Sequence, residues 1–274
     1  VGGEEKAAKV REATQDLPYN VIIRLIENRG RDVSALLVGV KDIINDYDLV
    51  CFAHDKKVTQ LSQGSIGDGF ALKCFENMFA TREYVANLID KFRQEPRLGM
   101  MFPPPPNHAD YFAPYIYTSW GLNYNNTVEL LNDLGCQVPL SKDVEPIAPL
   151  GTMFWFRPAA LAPLYDRDWQ WEDFPPEPNN TDGTILHAIE RAYAYVAQSA
   201  GYFSAHCFSD EFSRIELTNL AYYVKNMNYA DKLPFTVFGK GKLYVRVLRK
   251  ILPRQTYVEM RRKYRERMDR KRGL

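Results

Sequence analysis

The apolar pattern between residues 20 and 53 changes period twice. Asn20 to Ile26 is a short run rich in Val and Ile and reads as a strand. From Arg31 to Ile44 the apolar residues Val33, Leu36, Leu37, Val40, Ile43 and Ile44 recur at three-to-four spacing, which predicts an amphipathic helix. Asp46 and Asp48 flank a turn, and Leu49 to Ala53 is a second, buried strand. Strand, helix and strand in succession predict a parallel α/β sheet.

The same reading extends along the chain. Residues 4–16 favour helix and Pro18 marks its end. Residues 60–69 are polar and Gly-rich and predict a loop. Ala71–Phe79 and Arg82–Arg93 predict helices, the second capped by Thr81. Leu98–Phe102 is a short strand, followed by a stiff Pro103–Pro106 segment and an irregular, aromatic stretch over 107–127. Val128–Leu134 is a short helix closed by Gly135. Leu150–Phe156 is a strand, and Ala159–Leu164 opens a helix behind Pro158. Residues 166–181 form a Pro-, Asn- and acid-rich loop, and Asp182 caps a helix from Gly183 to about Ala200. Residues 210–230 read as helix and Phe235–Phe238 as a last strand.

Charge divides the chain more sharply than its net value of +1 suggests. Residues 239–274 hold 14 Lys or Arg against 3 acids, a net of +11. The remaining residues hold 21 bases and 31 acids, a net of −10. In the tail Val245, Leu248, Ile251 and Leu252 alternate with Lys and Arg, a pattern suited to an anionic bilayer surface. No readable motif supports nucleic-acid contact. This predicts a body over residues 1–238 and a basic helical tail over 239–274. The four cysteines form no CxxC pair, which argues against a zinc site and for a reducing, cytoplasmic setting. No apolar run is long enough to span a membrane, and the basic tail makes the expectation a cytoplasmic protein peripheral at the inner face of the cell membrane.

Candidate chemistry gathers where the second strand ends, in His54-Asp55-Lys56-Lys57. In open α/β sheets, ligands bind outside the carboxyl ends of the strands. Two lysines, an acid and an imidazole there suit a phosphate-bearing ligand, with Asp55 as a metal ligand or with Lys56 and Lys57 in place of a metal. His187 and Arg191 stand four apart on one helix face, and Glu190–Arg191 reads alternatively as a surface ion pair. Trp169, Trp171, Tyr117 and Trp120 could line an acceptor groove or simply fill a core.

Four motifs occur in order: Glu27-Asn28-Arg29-Gly30-Arg31-Asp32-Val33; Tyr47-Asp48 with His54-x-Lys56-Lys57; Gly151-Thr152-Met153-Phe154-Trp155-Phe156-Arg157; and Asp182-Gly183-Thr184 with His187-Ala188-Ile189-Glu190-Arg191. Together they resemble the rhamnan synthesis protein F family of bacterial polysaccharide glycosyltransferases, over about residues 20–205. The resemblance implies a glycosyltransferase-A type, Rossmann-like mixed sheet flanked by helices. It also implies inverting transfer from a nucleotide-diphosphate sugar, dTDP-rhamnose foremost, to a glycan or lipid-linked glycan. The first strand of that fold precedes a helix like residues 4–16, and so is expected to be absent from this chain. The Asp-x-Asp that commonly holds Mg²⁺ or Mn²⁺ is replaced by His54-Asp55-Lys56, which leaves metal-independent action open.

On that resemblance, Arg31, Asp32, His54, Lys56, Lys57, His187 and Arg191 belong to the donor site. Asp32 reads otherwise as a plain helix cap. An inverting transferase needs a carboxylate to take the acceptor proton. Asp173, Glu177, Asp182 and Glu190 are candidates, with Asp182 first and Glu177 second. The rival class is a non-catalytic carbohydrate-binding or scaffold module of a synthesis complex.

Overall fold

Short apolar runs that must serve two buried faces give this protein its sheet. The computed structural model describes residues 1–55, 64–104, 120–180 and 182–215, with isolated positions after them. Val50–Phe52 (β1), Leu98–Phe102 (β2), Phe154–Phe156 (β3) and Phe203–His206 (β4) form one sheet in the order β1-β3-β2-β4. β3 pairs antiparallel with both neighbours, and β4 pairs parallel with β2. β1, β2 and β4 therefore run the same way, with β3 reversed among them.

Side chains alternate across this sheet as the pleat requires. Val50, Phe52, Met100, Phe102, Phe154 and Phe156 join one core, while Cys51, Leu98, Met101 and Trp155 join the other. Leu98 and Met101 share a face although they are three apart, because the β2–β4 register shifts between Leu98 and Met100. Complete burial of Phe154 and Phe156 contributes roughly 1.5–3 kcal/mol each before chain entropy is counted.

Helices cover both faces. Gly64–Phe79 (α3) and Arg82–Gln94 (α4) lie on the smaller core through Cys74, Met78, Leu88 and Phe92. Thr81 caps α4, its hydroxyl oxygen accepting from Tyr84 N at 3.1 Å. On the larger core, Ile185–Ser199 (α7) buries Leu186, Ile189, Tyr193 and Val196 and packs on Tyr124–Asp133 (α5) and β4. α5 ends in a Schellman arrangement: Cys136 N reaches Leu131 O at 2.8 Å and Gly135 N reaches Asn132 O at 2.9 Å. Glu4–Thr14 (α1), Arg31–Ser34 (α2) and Ala162–Asp166 (α6) complete the helices used below. The chain divides into two compact units, Val1–Glu216 and Leu217–Leu274.

Several expectations need correction. The sheet is mixed, not parallel. Residues 20–26 are not a strand: Val1 bonds Arg24 O and accepts from Ile26 N, and Val21, Ile22 and Leu25 stay exposed without a ladder. The helix expected over 31–44 is a single α turn, a π-helical turn at Ala35–Gly39 and a 3₁₀ turn at Ile44–Asp46. α3 begins within the expected 60–69 loop, and α5 begins four residues before Val128. Leu150–Thr152 is a turn, which leaves only Phe154–Phe156 as strand. β4 carries too little alternation to be foreseen. The predicted strand 235–238, most of the 210–230 helix and most of the 239–274 tail lie outside the described residues.

Candidate functional site

Because β1, β2 and β4 share a direction, their carboxyl ends meet at one edge, where His54, Pro103 and Cys207 follow. The chain enters β3 at this same edge through the Gly151–Thr152 turn. α7 leads by a short turn into β4 and packs against it, so its N-terminus faces this edge as well. A helix N-terminus carries partial positive charge from its free N–H groups.

Arg31 and Asp32 reach the edge through a strained entry to α2. Gly30 and Arg31 both hold left-handed backbone angles, φ 70° and 53°. Gly30 admits no side chain, since a Cβ would stand 2.7 Å from Phe174 Cβ. The segment is pinned to the Pro-rich loop: Arg29 Nε donates to Phe174 O at 2.7 Å, and Gly30 N to Pro175 O at 3.3 Å. Arg31 Nε donates to Glu177 Oε1 at 3.0 Å, and Asn179 Nδ2 donates to the same oxygen at 2.6 Å. A non-glycine residue held left-handed costs about 1–2 kcal/mol, and such strain clusters at functional sites. Asp32 is not the cap of α2; Gly30 holds that position, and Asp32 lies within the first turn. Its carboxylate oxygen stands 3.7 Å from His54 Nε2.

His54 is fixed by two backbone oxygens, Gly151 O at 2.9 Å from Nε2 and Asp55 O at 2.9 Å from Nδ1. Gly151 N and the Thr152 hydroxyl in turn donate to Glu190 Oε1, at 2.7 and 3.3 Å. Glu190 Oε2 accepts from Arg191 at 2.5 Å, with both side chains under 15 % exposed. The Glu190–Arg191 pair is thus largely covered, contrary to a surface reading.

His187 lies half-buried near the start of α7, its Nδ1 2.8 Å from the Thr184 hydroxyl. Burial lowers its pKa; Glu190 opposes that shift, Arg191 adds to it, Asp182 opposes it, and Arg31 adds to it. Thr184, not Asp182, is the N-cap residue of α7. Asp182 turns instead to the segment before α5. It accepts from Asn123 Nδ2 at 2.6 Å and from Leu122 N at 3.2 Å. Burial alone would raise its pKa. The hydrogen bonds from Asn123, Leu122 and Gly183, with the charge of Arg191, outweigh burial and hold it below the usual carboxylate value.

The aromatic candidates separate. Trp120 and Trp169 are core rings, 2 % and 1 % exposed. Trp120 stacks on Tyr195 and donates to Val144 O at 2.8 Å; Trp169 stacks on Phe174 and donates to Leu164 O at 2.9 Å. Neither presents a face to a glycan, which corrects the groove expectation for both. Trp171 is half-buried near Gly39. Lys56, Lys57 and Tyr117 lie outside the described residues. Asp55 is exposed, and no three His, Cys, Asp or Glu side chains among the described residues group as a metal ion requires.

Sequence reasoning carried Thr152 and Thr184 only inside the quoted motifs and gave no role to Asn123, Asn179 or His206. The last ends β4 with its ring edge-on to Phe102, centroids 5.0 Å apart. Asn123 and Thr152 are recruited by partners distant in sequence, Asp182 and Glu190, which no local signature encodes.

Fold and site together define a mixed α/β domain with cationic and imidazole groups at the carboxyl edge of its parallel strands. The family model for rhamnan synthesis protein F matches residues 1–202, and the chain belongs to that family. Membership ties it to rhamnan and polysaccharide synthesis. Two relatives, each called "Uncharacterized protein WxcX", come from Xanthomonas campestris pv. campestris strains B100 and ATCC 33913. Each is 27% identical over 198 residues, which is 72% of this chain and 27% of the relative. The chain therefore spans little more than a quarter of the length of these relatives. No solved structure matches. Among the described residues, no helix is long and apolar enough to cross a membrane.

Proposed function

We propose that this chain is a glycosyltransferase unit of polysaccharide synthesis with a glycosyltransferase-A type domain. It takes a nucleotide-diphosphate sugar, dTDP-rhamnose foremost, and passes the sugar with inversion to a growing glycan at the cytoplasmic face of the membrane. The observation that carries this reading is the cationic character of the first turns of α7 beside the carboxyl edge of the parallel strands, where Arg191 Nη1 reaches His187 O at 3.3 Å and the charges of Arg191 and Arg31 act on the His187 ring.

Glycosyl transfer builds negative charge on the departing diphosphate. Fixed cations and a helix N-terminus offset such charge without reorganising during the reaction. Arg31 offers a planar fork suited to two phosphate oxygens. Taking up a diphosphate there would draw Arg31 from Glu177 and leave that carboxylate beside the site with only the neutral Asn179 donors. Glu177, which alone loses a charged donor on binding, then suits the role of base better than Asp182.

Calorimetric titration with dTDP-rhamnose, UDP-glucose and GDP-mannose, each with and without Mn²⁺, tests this reading. Selective binding of one donor, followed by sugar transfer from it, supports the proposal. Absence of binding to all three overturns it and favours the non-catalytic module.

A further inference from the structure

Glu190 offers a carboxylate on α7 that the donor site as described does not use. Three donors converge on it: Gly151 N at 2.7 Å, the Thr152 hydroxyl at 3.3 Å and Arg191 at 2.5 Å. A carboxylate has about four lone-pair sites, so little capacity remains for a substrate hydroxyl. Glu190 is therefore poorly placed to be the base and well placed to hold something still.

What it holds is a strained turn. Gly151 and Thr152 are both left-handed, φ 97° and 55°, and a β-branched residue rarely adopts such an angle. Thr152 N also donates to Pro149 O at 2.7 Å, which closes the turn from behind. The consequence of the conformation lies at its front, where the Gly151 carbonyl stands 2.9 Å from His54 Nε2. A second carbonyl, that of Asp55, stands at the same distance from Nδ1. A neutral imidazole has one N–H, so the two carbonyls compete for it.

We propose that Glu190 is a positioning residue: by clamping the strained Gly151–Thr152 turn, it decides which nitrogen of His54 carries the proton and how the ring faces Asp32. Its importance for donor binding rests on the reading of this edge as the donor site; the clamp itself does not. Arg191, Glu190, the turn, His54 and Asp32 form one connected series, so α7 and the end of β1 are coupled through a backbone carbonyl.

The test is a long-range ¹H–¹⁵N spectrum of the His54 ring, recorded without ligand at about pH 9, well above the usual histidine pKa. Wild type is expected to show a protonated Nε2 and a bare Nδ1, with widely separated nitrogen resonances. Glu190→Asp keeps the charge but shortens the reach by one methylene, and should draw the two resonances together. Glu190→Gln keeps an oxygen acceptor for Gly151 N and Thr152 at the original reach while its N–H₂ loses the bond from Arg191, and should preserve the wild-type ring pattern at lower stability. The reverse outcome, with Gln disturbing the ring and Asp sparing it, would mean that charge acts rather than position, and would overturn the proposal. A protonated Nδ1 in wild type would also overturn it.

Should the Asp variant fail to fold, hydrogen exchange of the wild-type Gly151 amide decides the matter. Slow exchange supports the clamp, and exchange at the rate of an open loop overturns it. Donor titration of the folded variants is a separate arm. Wild type that binds no donor refutes the functional reading, while the ring spectrum still decides the positioning.

Discussion

Arg31 Nε donates to Glu177 Oε1 at 3.0 Å across 146 positions of sequence. The contact joins the strained start of α2 to the Pro-rich loop, with each side chain about a quarter to a third exposed. A partly exposed pair of this kind contributes roughly 0–1 kcal/mol to stability, so its value lies elsewhere. We predict that Glu177→Gln leaves donor affinity within about threefold while turnover falls by about 10²–10⁴, the usual range for a general base. Arg31→Lys should weaken donor binding about tenfold by replacing a planar fork with a point charge. Calorimetry and initial rates separate the two effects, and a Glu177→Gln variant with normal turnover would exclude Glu177 as the base.

His187 supplies a pH prediction. Burial holds its folded pKa below the unfolded value near 6.5. Between the folded and unfolded values the unfolded chain binds more protons, so stability rises with pH there. The contribution is complete above about pH 6.5 and is lost as pH falls from there through the folded pKa. His206 shifts in the same direction, also mainly through burial. A diphosphate beside His187 would favour the protonated ring, so donor binding should take up protons near neutral pH. Calorimetry in buffers of differing ionisation enthalpy measures that uptake, and His187→Asn should abolish most of it. Equal uptake in the variant would place the proton elsewhere.

The buried tryptophans give a test of core against groove. Trp169→Ala removes a ring that is wholly interior and should cost about 3–5 kcal/mol. Trp120→Ala should behave alike, and both variants should lose thermal stability without any selective loss of glycan affinity. Trp171→Ala, at a half-buried position, should lower the melting temperature far less. Glycan titration that singles out Trp120 or Trp169 at unchanged stability would contradict the burial argument.

What was legible in the sequence follows from what is local. Thr81 and its helix, the Gly135 stop and the apolar β2 could be read because period and cap chemistry suffice for them. The Val/Ile run at 20–26 has the composition of a strand and finds no ladder, since strand formation depends on a neighbour and not on propensity alone. The helix after Arg31 has the right apolar face, yet it breaks into α, π and 3₁₀ turns that no apolar spacing encodes. In the site, motif singled out His187 and Arg191, where Arg191 Nη1 reaches His187 O at 3.3 Å, and Arg31, whose Nε donates to Glu177. Glu177 as a partner of Arg31, and Glu190 as a holder of Gly151, depend on loops meeting in space. Trp120 and Trp169 show the opposite limit: an aromatic cluster looks the same in sequence whether it lines a groove or fills a core.

The basic segment 239–274 carries a prediction from charge alone. Its net of +11 with interleaved Val, Leu and Ile should attract anionic lipid by about 1 kcal/mol for each basic residue near the surface. Deleting it should weaken sedimentation with vesicles containing anionic lipid, and added salt should weaken that of the intact chain. Unchanged sedimentation after deletion would remove the membrane role of the tail.

Asp182 separates a structural carboxylate from a catalytic one. It accepts from Asn123 Nδ2 and Leu122 N, while Asn123 Oδ1 accepts from Gly183 N at 3.1 Å. The two side chains thus lock the entry to α5 against the entry to α7 reciprocally. Asp182→Asn removes the charge and sets one amide N–H₂ toward donors, so at least one of these bonds is lost, at a cost of about 1–2 kcal/mol. For a chain of this size that corresponds to a fall of several degrees in melting temperature. Because hydrogen bonds hold the folded carboxyl below its unfolded value, its contribution is present above about pH 4 and disappears as pH falls through the folded pKa. The melting-temperature gap between wild type and the Asn variant should therefore narrow in acid. Turnover at a temperature where both are folded should stay within about tenfold of wild type. A loss of 10³ or more with the stability gap absent would assign the proton transfer to Asp182 and return Glu177 to an ordinary partner of Arg31.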